Sequence, residues 1–143
     1  MTVVFVYGTL TDPARVSTVL DRYTLGPDAV CQGLQCVDGR YPTLAPGGSV
    51  SGRLLATPQL DRLDAYEGLD RGLYCRVSVP CSTAEPTVKA DPAFGVETAE
   101  LYVGNPSLLG LSDVVEWPGS GSLTQRVQTY LAPHTVQIRL DSE

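Results

Sequence analysis

Residues 3 to 10 read Val3-Val4-Phe5-Val6-Tyr7-Gly8-Thr9-Leu10: five β-branched or aromatic residues, then a glycine. A continuous β-rich run of this kind reads as a strand buried on both faces, because no polar face is left for water. Gly8-Thr9-Leu10 ends it. A glycine at the carboxyl end of a central strand lets a ligand approach the backbone closely. Successive N–H groups in such a turn can also bind an anion. The same four residues equally describe an ordinary strand-to-helix turn. They are too short for a phosphate-binding P-loop and lack its Gly-Lys-Ser/Thr ending.

Asp12-Pro13 follows as an N-cap with proline at the first helical position, and Val16, Val19, Leu20 and Tyr23 repeat at helical spacing, so a short amphipathic helix is expected over Pro13 to Asp21. Ala29 to Val37 reads as a strand with Gly33 a candidate bulge. Gly39 to Gly48 reads as a loop and Val50 to Ala56 as a strand. Thr57-Pro58 repeats the cap-and-proline signal and opens a helix that Gly68 stops. Tyr74 to Cys81 alternates: Cys75, Val77, Val79 and Cys81 face one way, and Tyr74, Arg76 and Ser78 the other. Ser82 to Gly95 is polar and proline-bearing, an expected exposed loop. Thr98 to Val103 is a strand, Asn105-Pro106 breaks it, and Trp117 to Gly121 is a loop. A helix over Leu123 to Leu131 and a strand over Thr135 to Leu140 complete the chain. Many strands with few short helices imply an α+β fold, a small mixed β-barrel with helices packed outside.

The 143 residues suit one domain spanning 1–143. The formal charge of −6, with Lys89 the only lysine against nine arginines, offers no basic stripe for a phosphate backbone, so nucleic acid is excluded as a partner. No segment reaches the length of a membrane span or has the form of a signal peptide, so a cytoplasmic location and no membrane partner are expected. Cys31, Cys36, Cys75 and Cys81 lack metal-ligand spacing, and His134 is the only histidine. Buried structural thiols are favoured over a metal site or disulfides, and no cofactor is expected.

One polar residue conflicts with its place in the pattern. With Leu60 at 0° and about 100° per residue, Leu63 falls near 300° and Glu67 near 340°, between the two leucines on the core-facing stripe. An ionised carboxylate there is costly unless it is paired, and otherwise its pKa rises. Arg76 on the following strand could pair with it, and Asp64 could serve the same structural purpose. A carboxyl group of near-neutral pKa is also what general acid–base chemistry requires. Helical geometry alone favours the ion pair.

Together these segments resemble the γ-glutamylcyclotransferase-like family. Val4 to Leu10 is similar to its amino-terminal Tyr-Gly-Ser/Thr motif. Leu63-Asp64-Ala65-Tyr66-Glu67-Gly68 with Tyr74-Cys75-Arg76 resembles its acidic segment, and Thr98 to Val103 its later aromatic-bearing strand. The order and spacing agree over most of residues 3 to 104. The resemblance implies a mixed β-barrel with peripheral helices and an enzyme that closes a small γ-glutamyl substrate into 5-oxoproline. It implies Glu67 as the catalytic carboxylate, Tyr7, Gly8, Thr9 and Leu10 as the substrate-binding loop, and Tyr74, Arg76 and Tyr102 as cavity lining. With it, the catalytic reading of Glu67 overtakes the ion pair. A non-catalytic module binding a small metabolite in the same cavity is the alternative.

Overall fold

The computed structural model describes residues 2–8, 11–37, 43–82, 98–111, 113–131 and 136–140. Six strands, β1 (Thr2–Val6), β2 (Thr24–Val37), β3 (Thr43–Thr57), β4 (Tyr74–Ser82), β5 (Thr98–Gly104) and β6 (Gln137–Leu140), close into a barrel in the order β1-β3-β2-β6-β4-β5. β1 runs parallel to β5 and β4 parallel to β6, and the other neighbours are antiparallel. Three short helices, α1 (Pro13–Val19), α2 (Leu60–Tyr66) and α3 (Leu123–Leu131), complete the expected mixed barrel. Among the described residues no helix is long and apolar enough to cross a membrane.

β1 carries the core. Val3, Val4, Phe5 and Val6 are all nearly sealed from solvent, as an all-apolar strand requires. The strand ends one residue earlier than expected, leaving Tyr7 at its exit. Gly52 on β3 passes so close that a methyl group there would overlap the Val6 carbonyl oxygen and come within 2.8 Å of the Phe5 ring. Glycine at this position is therefore a packing requirement.

Further expected boundaries move, among them the end of α1, at Val19 rather than Asp21. β2 starts at Thr24, because Thr24 and Leu25 pair with Ala56 and Leu55 before a register shift that spans Gly26-Pro27. The Arg53 guanidinium donates to the Gly26 carbonyl at that bulge. The second shift falls between Gln32 and Leu34, with Gly33 at φ 98°, so the expected bulge is present. Gly39 to Gly48 is not all loop: β3 begins at Thr43, and Thr43, Leu44 and Ala45 are buried and paired with Val37, Cys36 and Gln35. Burial and ladder pairing outweigh the turn-forming Pro46-Gly47-Gly48 that follows. Finally, α2 starts at Leu60 with Gln59 at the N-cap, two residues after the expected Pro58. Thr57 is the buried end of β3, and its hydroxyl bridges the Arg22 carbonyl and the Gln59 N–H. Gly68, at φ 71° and ψ 36°, stops the helix as expected.

β4 alternates as expected, with Cys75, Val77, Val79 and Cys81 buried. α3 rests on β4 and has the predicted bounds. Of the four thiols, Cys31, Cys75 and Cys81 are buried, whereas Cys36 is exposed, a correction to the expectation of four buried ones. Cys36 is the penultimate residue of β2, near Tyr7 at the mouth of the barrel, where the strand leaves the core. His134 and the expected Ser82–Gly95 loop, Ser82 excepted, lie outside the described residues.

Candidate active site

Tyr7 leaves β1 at the barrel mouth, and several elements converge on it. Its hydroxyl donates to the main-chain carbonyl of Tyr102 on β5 at 2.6 Å. Burial raises the Tyr7 phenol pKa well above its ordinary value, and the nearby Tyr74, Glu67 and Cys36 raise it further, while a hydrogen bond with the Thr43 side chain opposes them. Thr43 in turn accepts from the Gly104 N–H at 2.6 Å. The ends of β1, β2 and β5, the starts of β3 and β4, and the end of α2 thus meet at one mouth of the barrel.

Glu67 reaches this place because it occupies the C-cap of α2, in αR conformation, with its N–H still bonded to the Leu63 carbonyl at 2.9 Å. Leu63, one turn earlier, is fully buried, as the stripe read at about 100° per residue requires. Burial pushes the Glu67 carboxyl up from 4.5 to about 7. The residue remains partly open to solvent. Among the described residues its carboxylate has no cationic partner and no hydrogen-bond donor.

The alternative ion pair between Glu67 and Arg76, which helical geometry alone favoured, is not formed. Arg76 Nη1 instead donates to Asp64 Oδ1 and Oδ2 at 2.7 and 2.6 Å, and its Nε lies 3.9 Å from Glu100. Asp64 precedes Glu67 by three residues on α2 and is the carboxylate that Arg76 on β4 reaches. Tyr102 faces Arg76 across the β4–β5 ladder, and its hydroxyl donates to Asp64 Oδ1 at 2.7 Å. Tyr74, buried, lies at the mouth beside Tyr7.

The structure therefore gathers Glu67, Tyr7 and Tyr74 and sets Arg76 and Tyr102 into a bonded cluster with Asp64. Gly8 follows Tyr7 and its carbonyl accepts from Thr11, whereas Thr9 and Leu10 lie outside the described residues. Thr43 was invisible to sequence reasoning, since its bond to Gly104 spans 61 residues and no local motif announces it. A groove of about 430 Å³ opens beside the mouth, lined by Tyr74, Arg76, Leu69, Asn105 and the first turn of α3. Among the described residues no three His, Cys, Asp or Glu side chains converge as metal ligands.

The same architecture recurs in solved structures. One, from Arabidopsis thaliana, was determined in solution and shares 26% identity over 90% of this chain and 82% of its own, with a TM-score of 0.54. A Homo sapiens protein shares 16% identity over 90% and 97% of the two chains, with a TM-score of 0.56. A structure that bears the name gamma-glutamyl cyclotransferase shares 16% over 90% and 97%, with a TM-score of 0.54. No match to a curated protein is found. Residues 4–119, from the first buried strand to beyond Trp117, match the family described as gamma-glutamyl cyclotransferase, AIG2-like, and the chain belongs to that family.

Proposed function

We propose that this chain converts a γ-glutamyl compound into 5-oxoproline and a free amine, with Glu67 as the proton relay. The observation that carries the reading is the Glu67 carboxyl, raised to about 7 by burial, partly open to solvent and without an ion pair among the described residues. Family membership and the name of one solved relative support the reaction class.

The substrate brings its own nucleophile. Its α-amine attacks its own γ-carbonyl carbon, a C–N bond closes the five-membered lactam, and the original amide C–N bond breaks. The reaction is intramolecular, so holding the bent conformer supplies much of the rate advantage. Protons must move. The α-nitrogen passes from ammonium to lactam N–H and loses two, while the leaving nitrogen passes from amide N–H to ammonium and gains two. A carboxylate whose pKa sits near 7 can accept and return them in turn, because neither direction is then strongly uphill. The amides of Gly8 to Leu10 are the candidate holders of the substrate α-carboxylate or of the developing oxyanion, and loss of one oxyanion donor typically costs about 10²–10³ in rate. Tyr74 lines the same mouth.

Glu67→Gln keeps the shape and removes the base. Mass spectrometry of 5-oxoproline across a panel of γ-glutamyl amino acids, peptides and amines should show turnover by the wild type, lowered about 10²–10⁴-fold in the variant. Undiminished turnover by the variant removes Glu67 from the mechanism. Binding by the wild type without product on the whole panel favours the metabolite-binding module instead.

A further inference from the structure

Glu67 stands at the C-terminal end of a short helix whose first turn is tied to the Asp21-Arg22 segment by Gln59 and Arg62. α2 is seven residues long, the side chain of its N-cap Gln59 accepts from the Asp21 and Arg22 N–H groups rather than capping the helix, and the chain turns left-handed at Gly68 immediately after Glu67. The last turn of so short a helix frays readily unless tertiary contacts hold it. Leu63 anchors one side of that turn in the core. On its other side stands a chain of polar bonds that the proton relay itself does not use. Tyr102 is engaged at both ends: its main-chain carbonyl accepts from Tyr7, and its hydroxyl donates to Asp64. Asp64 holds the Arg76 guanidinium with both oxygens, and Arg76 is steadied from the other side by Glu100, which accepts from Ser78. Asp64 and Arg76 are each only about a quarter exposed, so this pair is less screened than an ordinary surface pair.

We infer that Tyr102, Asp64 and Arg76 are positioning residues, which pin the last turn of α2 to β4 and β5 and so keep the Glu67 carboxyl opposite Tyr7. Tyr102 then acts through Asp64 rather than by touching substrate. The inference rests on Glu67 being the proton relay. Its physical content is that one bonded path joins Tyr7, at the exit of β1, to the helix that bears the carboxylate. A displacement of about 1 Å at a reacting group can cost about 10²-fold in rate, so a single lost bond along this path has leverage.

Tyr102→Phe removes one oxygen, keeps the ring and changes no charge. Two readouts are needed. The first is the titration midpoint of the ¹³C-labelled Glu67 carboxyl by NMR, assigned with Glu67→Gln. The second is kcat and KM for 5-oxoproline formation. Tyr7, Tyr74 and Cys36 face the same mouth from β1, β4 and β2 and are untouched by the substitution. We expect the midpoint to fall from near 7 by about one unit as the loosened turn admits water. We also expect kcat to fall by about 10–100-fold with KM within about twofold. Asp64→Ala should reproduce both effects, and adding Tyr102→Phe to it should change little more, since the two residues act as a unit. A lower melting temperature with unchanged midpoint and kcat would reduce the cluster to ordinary scaffold and overturn the inference. A raised KM at constant kcat would place the phenol on the substrate and overturn it as well. If the wild type turns over no γ-glutamyl compound, the cyclisation reading fails separately. The NMR midpoint still decides the positioning claim, and an unmoved midpoint in both variants refutes it.

Discussion

Replacing Glu67 by glutamine should make the folded protein more stable at neutral and alkaline pH while lowering the proposed turnover. The native carboxyl titrates near 7, against 4.5 in its ordinary setting, a raise of about 2.5 units caused by burial. A group whose folded pKa is raised binds its proton more tightly in the native state than in the unfolded one. Its favourable contribution is therefore fully present below about pH 4.5 and is lost as pH rises to about 7. At about 1.4 kcal/mol per unit, the loss approaches about 3 kcal/mol in the alkaline limit. Glutamine has the same shape and no such titration, so the difference between variant and wild type should be near zero at pH 4.5 and grow to about 2–3 kcal/mol by pH 8. Urea unfolding at half-unit pH intervals, with m held common to the two proteins, measures that difference directly. The sign is diagnostic. A structural ion pair on Glu67 predicts the reverse, a variant destabilised because a buried cation has lost its partner. A flat difference across pH 4.5–8, or a variant less stable at pH 8, would refute a carboxyl held up by burial with no ionic partner among the described residues. If it is also the base, kcat in the wild type should fall as pH drops through about 7, where the native carboxyl becomes protonated.

Two further outcomes follow from the packing. Gly52→Ala should lower stability by about 1–3 kcal/mol, because the added methyl meets the Val6 main chain, which cannot rotate away; thermal unfolding checks it, and an unchanged melting temperature would mean that β1 and β3 separate easily. A thiol reagent should label Cys36 quickly and leave Cys31, Cys75 and Cys81 protected until the protein unfolds, since those three are buried and burial pushes the Cys31 thiol up to about 12; mass mapping of the labelled peptides checks it, and prompt labelling of Cys31 would contradict its burial in the barrel.

Local patterns in the chain accounted for much of the architecture. Val3 to Val6 could only be a strand covered on both faces, Gly68 could only end a helix, and the alternation from Tyr74 to Cys81 located the buried face of β4, because each rests on short-range geometry. The suspicion attached to Glu67 was of the same kind: a carboxyl four residues after a core leucine is wrongly placed unless it has a task or a partner. Boundaries read from turn residues failed where a long-range ladder overrode them, as at Thr43 to Ala45 and at Thr24-Leu25.

That Glu67 finds no ionic partner among the described residues was decided by the tertiary structure. Whether Arg76 reaches Asp64 or Glu67 depends on how α2 crosses β4, a difference of one step around the helix that no periodicity can resolve. The Tyr7 hydroxyl, the Tyr102 carbonyl and Thr43 likewise meet only after the barrel has closed. Bonds between residues 61 and 95 positions apart leave no trace in any window of sequence. What the order of amino acids settled alone was which side chains must be hidden. Which of them would then find a partner was a matter of geometry in three dimensions.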